Sequence, residues 1–355
     1  MLEQGSKKIK VLIIDDSALV RSILESGLGK DPMITVVGTA SDPYIARDKI
    51  LELEPDVLTL DVEMPRMDGV AFLRKLMPQY PIPVIMVSAL TERGKKITMN
   101  ALEAGAIDFV TKPSTGVSRG LNAMMSDLRE KVKIASTADV SHWLNRHKPL
   151  PRSQPESRVL SGGTDKVIAI GASTGGTEAI RTMIKMFPAS TPGVAIVQHM
   201  PPGFIQAFAE SLDHQSAMQV KEAENGDRIL PGRVVIAPGG KQMKIYRSGG
   251  VYLTKIFDGE RVNGHCPSVE VLMNSVAEQV GDNAIGVMLT GMGGDGAKGL
   301  LAMRKTGART FAQDEKTSVV FGMPKVAFEI GAVEKMLPID AIVPAILKSL
   351  EQKVD

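Results

Sequence analysis

The sequence predicts two α/β domains, each a doubly wound and mostly parallel sheet, joined by a linker. Three observations predict this. Short continuous apolar runs alternate with amphipathic helical patterns, as expected of strands buried on both faces. The length of 355 residues, at roughly 150 per domain, gives about two domains. Between the two series, residues 134–165 lack a sustained apolar period and gather Ser, Pro, Arg and His, including Pro149, Pro151 and Pro155.

In the first half, strands are predicted at Val11–Ile14, Ile34–Val37, Val57–Leu60, Val84–Val87 and Ile107–Val110. Leu19, Val20, Ile23, Leu24 and Leu28 share one helical face between the first two, and Leu73, Leu76 and Met77 repeat the pattern after the third. A last helix carries Leu121, Met124, Met125, Leu128 and Val132. In the second half, strands are predicted at Val167–Ile170, Val194–Val197, Val234–Ile236, Ile285–Leu289 and Thr310–Ala312. Met243–Tyr246 and Val251–Ile256 flank Ser248-Gly249-Gly250 and form an antiparallel hairpin added to that sheet. Helices are predicted at Ala179–Phe187, Val269–Val280, Ala297–Lys305 and near Ile339–Leu350. Trp143 falls in the linker, where it can dock locally.

Composition removes several classes. With 43% hydrophobic and 23% charged residues, the chain can build cores and is not disordered. A formal net charge of +2 provides no field for nucleic acid, and no basic recognition helix is evident, which argues against a transcription factor. One cysteine, Cys266, excludes an intrachain disulfide and suits a reducing compartment; beside His265 it is a packing residue rather than a nucleophile. No apolar run approaches the roughly 20 residues of a membrane span, and Asp15 and Asp16 interrupt the one that follows Lys7, Lys8 and Lys10. A cytoplasmic location is expected.

Ligands gather at the carboxyl ends of strands in open parallel sheets. In the first half those ends carry Asp15 and Asp16, then Asp61, then Ser88, then Lys112. Each acid alone could be a helix cap. Together they suit a hard cation such as Mg²⁺ beside a phosphoryl group, whose oxygens a lysine and a hydroxyl would hold. The runs Leu12-Ile13-Ile14-Asp15-Asp16-Ser17, Asp61 through Gly69, Ser88-Ala89 and Thr111-Lys112-Pro113 resemble the response-regulator receiver family over residues 8–125. The resemblance implies a flavodoxin-like fold of strand order 2-1-3-4-5 and phosphorylation of Asp61. It also implies Mg²⁺ on Asp15, Asp16, Asp61 and the Glu63 main-chain carbonyl, a switch made by Ser88, Phe109 and Lys112, and a cis Lys112–Pro113 bond.

In the second half the strand Val167–Ile170 runs into Gly171-Ala172-Ser173-Thr174-Gly175-Gly176 and a helix follows. This is G-x-S-x-G at a strand-to-helix turn, which lifts a serine hydroxyl clear of the sheet. Serine needs a base, and a base needs an orienting group. Of five histidines, His142 and His147 lie in the linker, His214 in a polar helix-like segment and His265 in a loop after Asn263-Gly264. His199 ends the second strand of this half, and Asp295 follows Ile285–Leu289 to the same edge. A helix cap, a strand-end histidine and an ordinary Asp-Gly turn would explain each residue singly. A dinucleotide site fits poorly. The glycines do not form G-x-G-x-x-G, and His199 stands where a ribose-binding acid belongs. The α/β-hydrolase order of Ser, acid, His also differs from Ser173, His199, Asp295.

That order, with Ile170 through Glu178, Gln198 through Phe204, Gly264 through Val269 and Leu289 through Gly296, resembles the chemotaxis protein-glutamate methylesterase family. The resemblance implies a Rossmann-like hydrolase at 166–352 and a phosphorylation-activated enzyme; residues 126–165 between the two domains match none of its motifs and are assigned as the linker. Its substrates would be glutamyl γ-methyl esters on cytoplasmic chemoreceptor helices, with receptor glutamines deamidated by the same chemistry. Ser173, His199 and Asp295 would be catalytic, the Met292 N–H an oxyanion donor assisted by Thr174, and His265 would line the substrate cleft. Hydrolysis would need no cofactor. The chemotaxis histidine kinase would donate the phosphoryl group, a monomer is expected, and the unmodified receiver would cover the hydrolase cleft. The alternative is a receiver-controlled receptor-docking adaptor without catalysis.

Overall fold

The computed structural model describes residues 7–89, 91–113, 117–145 and 165–351. The chain divides into two units, Met1–Leu150 and Pro151–Asp355. In the first, Ile9–Ile14 forms β1, followed by α1 (Ala18–Leu28), β2 (Ile34–Ala40), α2 (Pro43–Leu53), β3 (Val57–Asp61), α3 (Gly69–Leu76), β4 (Val84–Ala89), α4 (Glu92–Glu103), β5 (Asp108–Lys112) and α5 (Val117–Ala135). The strands lie in the order β2-β1-β3-β4-β5, with every adjacent pair parallel. Val11, Leu12, Ile13, Leu58, Leu60, Val84, Ile85 and Met86 are fully buried, so both faces of the central strands are covered by helices.

Short polar side chains start the helices that leave the carboxyl edge. Ser17 accepts from the Val20 N–H at 3.4 Å, Asp68 from Ala71 at 2.7 Å and Thr91 from Gly94 at 2.9 Å. After α5, a 3-10 turn at Ser141–Asn145 carries Trp143. Its indole is buried so tightly over Gly105 that a Cβ there would stand 3.1 Å from the ring. The tryptophan expected in the linker therefore packs onto the first unit, and His147, Pro149, Pro151 and Pro155 lie outside the described residues.

The second unit runs β6 (Val167–Ala172), α6 (Gly176–Met186), β7 (Gly193–Gln198), α7 (Ile205–Asp213), β8 (Gln219–Glu222), β9 (Arg233–Ile236), β10 (Gln242–Ser248), β11 (Val251–Phe257) and α8 (Val269–Gln279). It closes with β12 (Ala284–Met288), α9 (Ala297–Lys305), β13 (Arg309–Gln313), α10 (Met323–Glu329), β14 (Lys335–Leu337) and α11 (Ile339–Glu351). Seven parallel strands lie in the order β14-β13-β12-β6-β7-β9-β8. The chain winds outward from β6 in one direction and returns to its other side with β12, so a crevice opens at the carboxyl ends of β6 and β12.

Two expectations are corrected. The hairpin β10–β11 forms its own two-stranded sheet rather than extending the parallel one. An N–H of β10 at Ile245 bonds to Ser275 Oγ of α8 at 2.9 Å, which ties the hairpin to a helix instead. Among the described residues the cis peptide bond is Cys266–Pro267, and the implied cis bond at Lys112–Pro113 is absent. A following proline lowers the cost of the cis form without imposing it. No helix among the described residues is long and apolar enough to cross a membrane.

Candidate active site

Ser173 follows the last residue of β6 and is half-buried at the carboxyl edge. Its N–H donates to the Thr290 carbonyl at 3.0 Å, which fastens the turn to the segment after β12. Gly175 starts α6 at φ 76°, a left-handed conformation that suits glycine and bends the chain sharply from strand to helix. The loop after β12 comes closer still: a Cβ on Gly291 would stand 2.6 Å from Ser173 Cβ. Only a residue without a side chain fits there.

His199 follows β7, and its N–H donates to the Ala172 carbonyl at 3.0 Å. Gln198 Nε2 donates to the Ser173 carbonyl at 2.9 Å and to the His199 carbonyl at 3.1 Å, so one amide holds both turns. His199 Nε2 lies 2.9 Å from Asp295 Oδ2, while buried Nδ1 has no hydrogen-bond partner among the described residues. No hydrogen bond joins Ser173 to His199. In sites without substrate such bonds are often long and tighten only in the complex.

Asp295 is buried and accepts from Ser268 Oγ at 2.7 Å, the Val269 N–H at 2.7 Å and Asn263 Nδ2 at 2.9 Å. Burial by itself would raise its carboxyl pKa. The bonds from His199, Asn263 and Ser268 prevail and lower it to about 2, so the group is a carboxylate at neutral pH. Sequence reasoning gave Gln198, Asn263 and Ser268 no role. Their one signal was position, since Gln198 and Ser268 fall within motif runs, Asn263 adjoins one, and each offers an amide or hydroxyl.

His265 stacks on His199 with ring centroids 3.7 Å apart and planes 9° from parallel. Thr174 is buried, and its carbonyl accepts from Thr290 Oγ1 at 3.0 Å. Met292 comes immediately after Gly291 and is exposed. Ser173, His199, Asp295, His265, Thr174 and Met292 thus collect around one edge of the second sheet. His214 Nδ1 donates to the Glu210 carbonyl on α7 at 2.8 Å and takes no part.

In the first unit, carboxylate oxygens of Asp15, Asp16 and Asp61 all lie within 4.8 Å of one another. Asp15 and Asp61 are buried and Asp16 is exposed. Lys112 Nζ pairs with Asp15 Oδ2 at 3.0 Å and Asp61 Oδ1 at 2.9 Å. Burial nevertheless outweighs that lysine and leaves the Asp61 carboxyl above its ordinary value. Ser88 is buried, 2.7 Å from Thr98 Oγ1 of α4, and Phe109 is buried beneath Lys131, whose Nζ lies 5.4 Å from the ring centroid. Glu63 is exposed with its carboxylate 3.7 Å from Arg93. A groove of about 520 Å³ opens beside Asp16 and Glu63.

Comparison with known proteins agrees with both units. The CheB methylesterase family matches residues 168–346 and the response regulator receiver domain matches residues 11–122. A protein-glutamate methylesterase/protein-glutamine glutaminase of Syntrophotalea carbinolica is 63% identical over 349 residues, covering 98% of this chain and 99% of that protein. One from Shigella flexneri is 51% identical, covering 97% of each. The crystal structure of the Thermotoga maritima CheB methylesterase catalytic domain superposes with a TM-score of 0.52 at 36% identity, covering 53% of this chain and 100% of that one. These matches favour a hydrolase over a non-catalytic adaptor. A receiver domain followed by a hydrolase domain, with relatives matched along nearly their whole length, places this chain in the CheB methylesterase family.

Proposed function

We propose that this protein is a phosphorylation-activated hydrolase. It removes methyl groups from glutamyl γ-methyl esters of chemoreceptors and deamidates receptor glutamines. The observation that carries the reading is the hydrogen-bonded pair of His199 and buried Asp295 beside the Ser173 turn.

Ser173 Oγ attacks the side-chain carbonyl of the substrate while His199 Nδ1, the nitrogen that Asp295 leaves free, accepts the hydroxyl proton. The Met292 N–H, with Thr174 assisting, stabilises the tetrahedral oxyanion. Collapse breaks the ester C–O bond, and His199 returns the proton to the leaving oxygen as methanol is released. An amide substrate releases ammonia at the same step. Water, deprotonated by His199, then cleaves the acyl-Ser173 ester to give glutamate and free serine. Asp295 holds the imidazole and stabilises its charged form throughout.

Asp61 is the phosphoryl acceptor, served by a histidine kinase. The converging carboxylates fit a hard divalent cation. Mg²⁺ would be held by Asp15, Asp16, Asp61 and the Glu63 main-chain carbonyl, and supplies neutralisation of phosphoryl charge. Lys112 binds phosphoryl oxygens, and Ser88 leaves Thr98 for the same group, with Phe109 following as the switch. Methanol release from methylated receptor membranes, with and without a small phosphoryl donor, tests both parts. Wild type should release methanol faster with donor. Release by Ser173→Ala at the wild-type rate would remove Ser173 as nucleophile.

A further inference from the structure

The mechanism above uses one imidazole, yet two are stacked at the site. From the near-parallel contact of His265 on His199, we infer that His265 is a positioning residue for the catalytic base: its flat uncharged ring fixes the plane of His199. This rests on the proposed serine hydrolase reading and deepens it.

The geometry leaves His199 three constraints. Its main chain is tied to Ala172 and Gln198, and its Nε2 is tied to Asp295. A hydrogen bond at one ring nitrogen still permits rotation about that bond. The planes 9° apart at 3.7 Å remove this freedom, because tilting His199 would drive it into the neighbouring ring. Nδ1 then keeps one direction. His265 is itself held: its N–H and C=O both bond Val262 at 3.0 Å, and its carbonyl accepts from Gln242 Nε2 at 3.3 Å.

The stack requires His265 to stay neutral. Charged and titratable groups facing it are His199, Asp295 and Arg261, whose Nη1 donates to the Gly264 carbonyl at 3.2 Å. Burial, then repulsion by His199 and Arg261, outweighs attraction by Asp295 and lowers its pKa to about 4. At neutral pH it thus offers an uncharged aromatic face to the imidazolium that forms on His199 during attack, an arrangement that favours the cation.

The test compares His265→Phe, His265→Leu and His265→Ala in the full chain, with Ser173→Ala as the control. His265→Phe, flat and uncharged, should keep kcat within about threefold of wild type. Leu and Ala should lower kcat about 10- to 100-fold with KM little changed, the size expected when a reacting group is misplaced by about 1 Å. Equal rates for Phe and Leu, or equal loss in Phe and Ala, would each overturn the inference. Turnover surviving in Ser173→Ala would instead defeat the hydrolase reading.

Discussion

Asp295 and His199 meet at 2.9 Å between Oδ2 and Nε2, and Asp295 Oδ2 also accepts from the Val269 N–H at 2.7 Å. The carboxylate is therefore anchored to the start of α8 before it contacts the imidazole. Asp295→Asn keeps the shape but puts a neutral group where imidazolium must be stabilised. Expected is a fall in kcat of about 10³–10⁴-fold with the fold retained. Steady-state methanol release and near-UV circular dichroism check it; a fall below tenfold would refute the role.

The same carboxylate carries acid stability. Its folded pKa of about 2 lies below its ordinary 3.8, so its contribution is complete above the unfolded value. That contribution disappears as pH falls through about 2. It amounts to about 2 kcal/mol. Ser268→Ala removes one donor, so the Tm gap between wild type and variant should shrink as pH falls from about 5 to about 2. A gap independent of pH would show that Ser268 does not act through this charge.

Gly291 tests the close approach. In Gly291→Ala the new Cβ would sit 2.6 Å from Ser173 Cβ, and backbone must yield on one side. A stability loss of about 1–3 kcal/mol and a kcat loss of about 100-fold are expected. Thermal unfolding and turnover measure both, and unchanged turnover would mean the two loops separate freely.

Asp61→Asn removes the proposed phosphoryl acceptor and leaves the sequence of the second unit unchanged. Basal hydrolysis should persist and stimulation by a small phosphoryl donor should vanish. Stimulation equal to wild type would place the acceptor elsewhere.

Strands with continuous apolar runs, such as Val167–Ile170 and Val84–Val87, were legible because burial on both faces leaves no polar position. The edge strands Gln219–Glu222 and Lys335–Leu337 were not: each is short and partly exposed. Asp295 could be placed at the sheet edge from chain order. Its partners Asn263 and Ser268 could not, since they reach it across 32 and 27 residues of chain. The stack of His265 on His199 was equally hidden, because Pro267 and the loop before it turn by rules that apolar periodicity does not encode.

Gln198 gives the site a mechanical property. Its amide grips the ends of β6 and β7 at once, at the Ser173 and His199 carbonyls. A disturbance that tilts one strand end drags the other with it, like two horses in one yoke. What the sheet preserves under strain is the spacing of hydroxyl and imidazole, even when their absolute place in the molecule drifts.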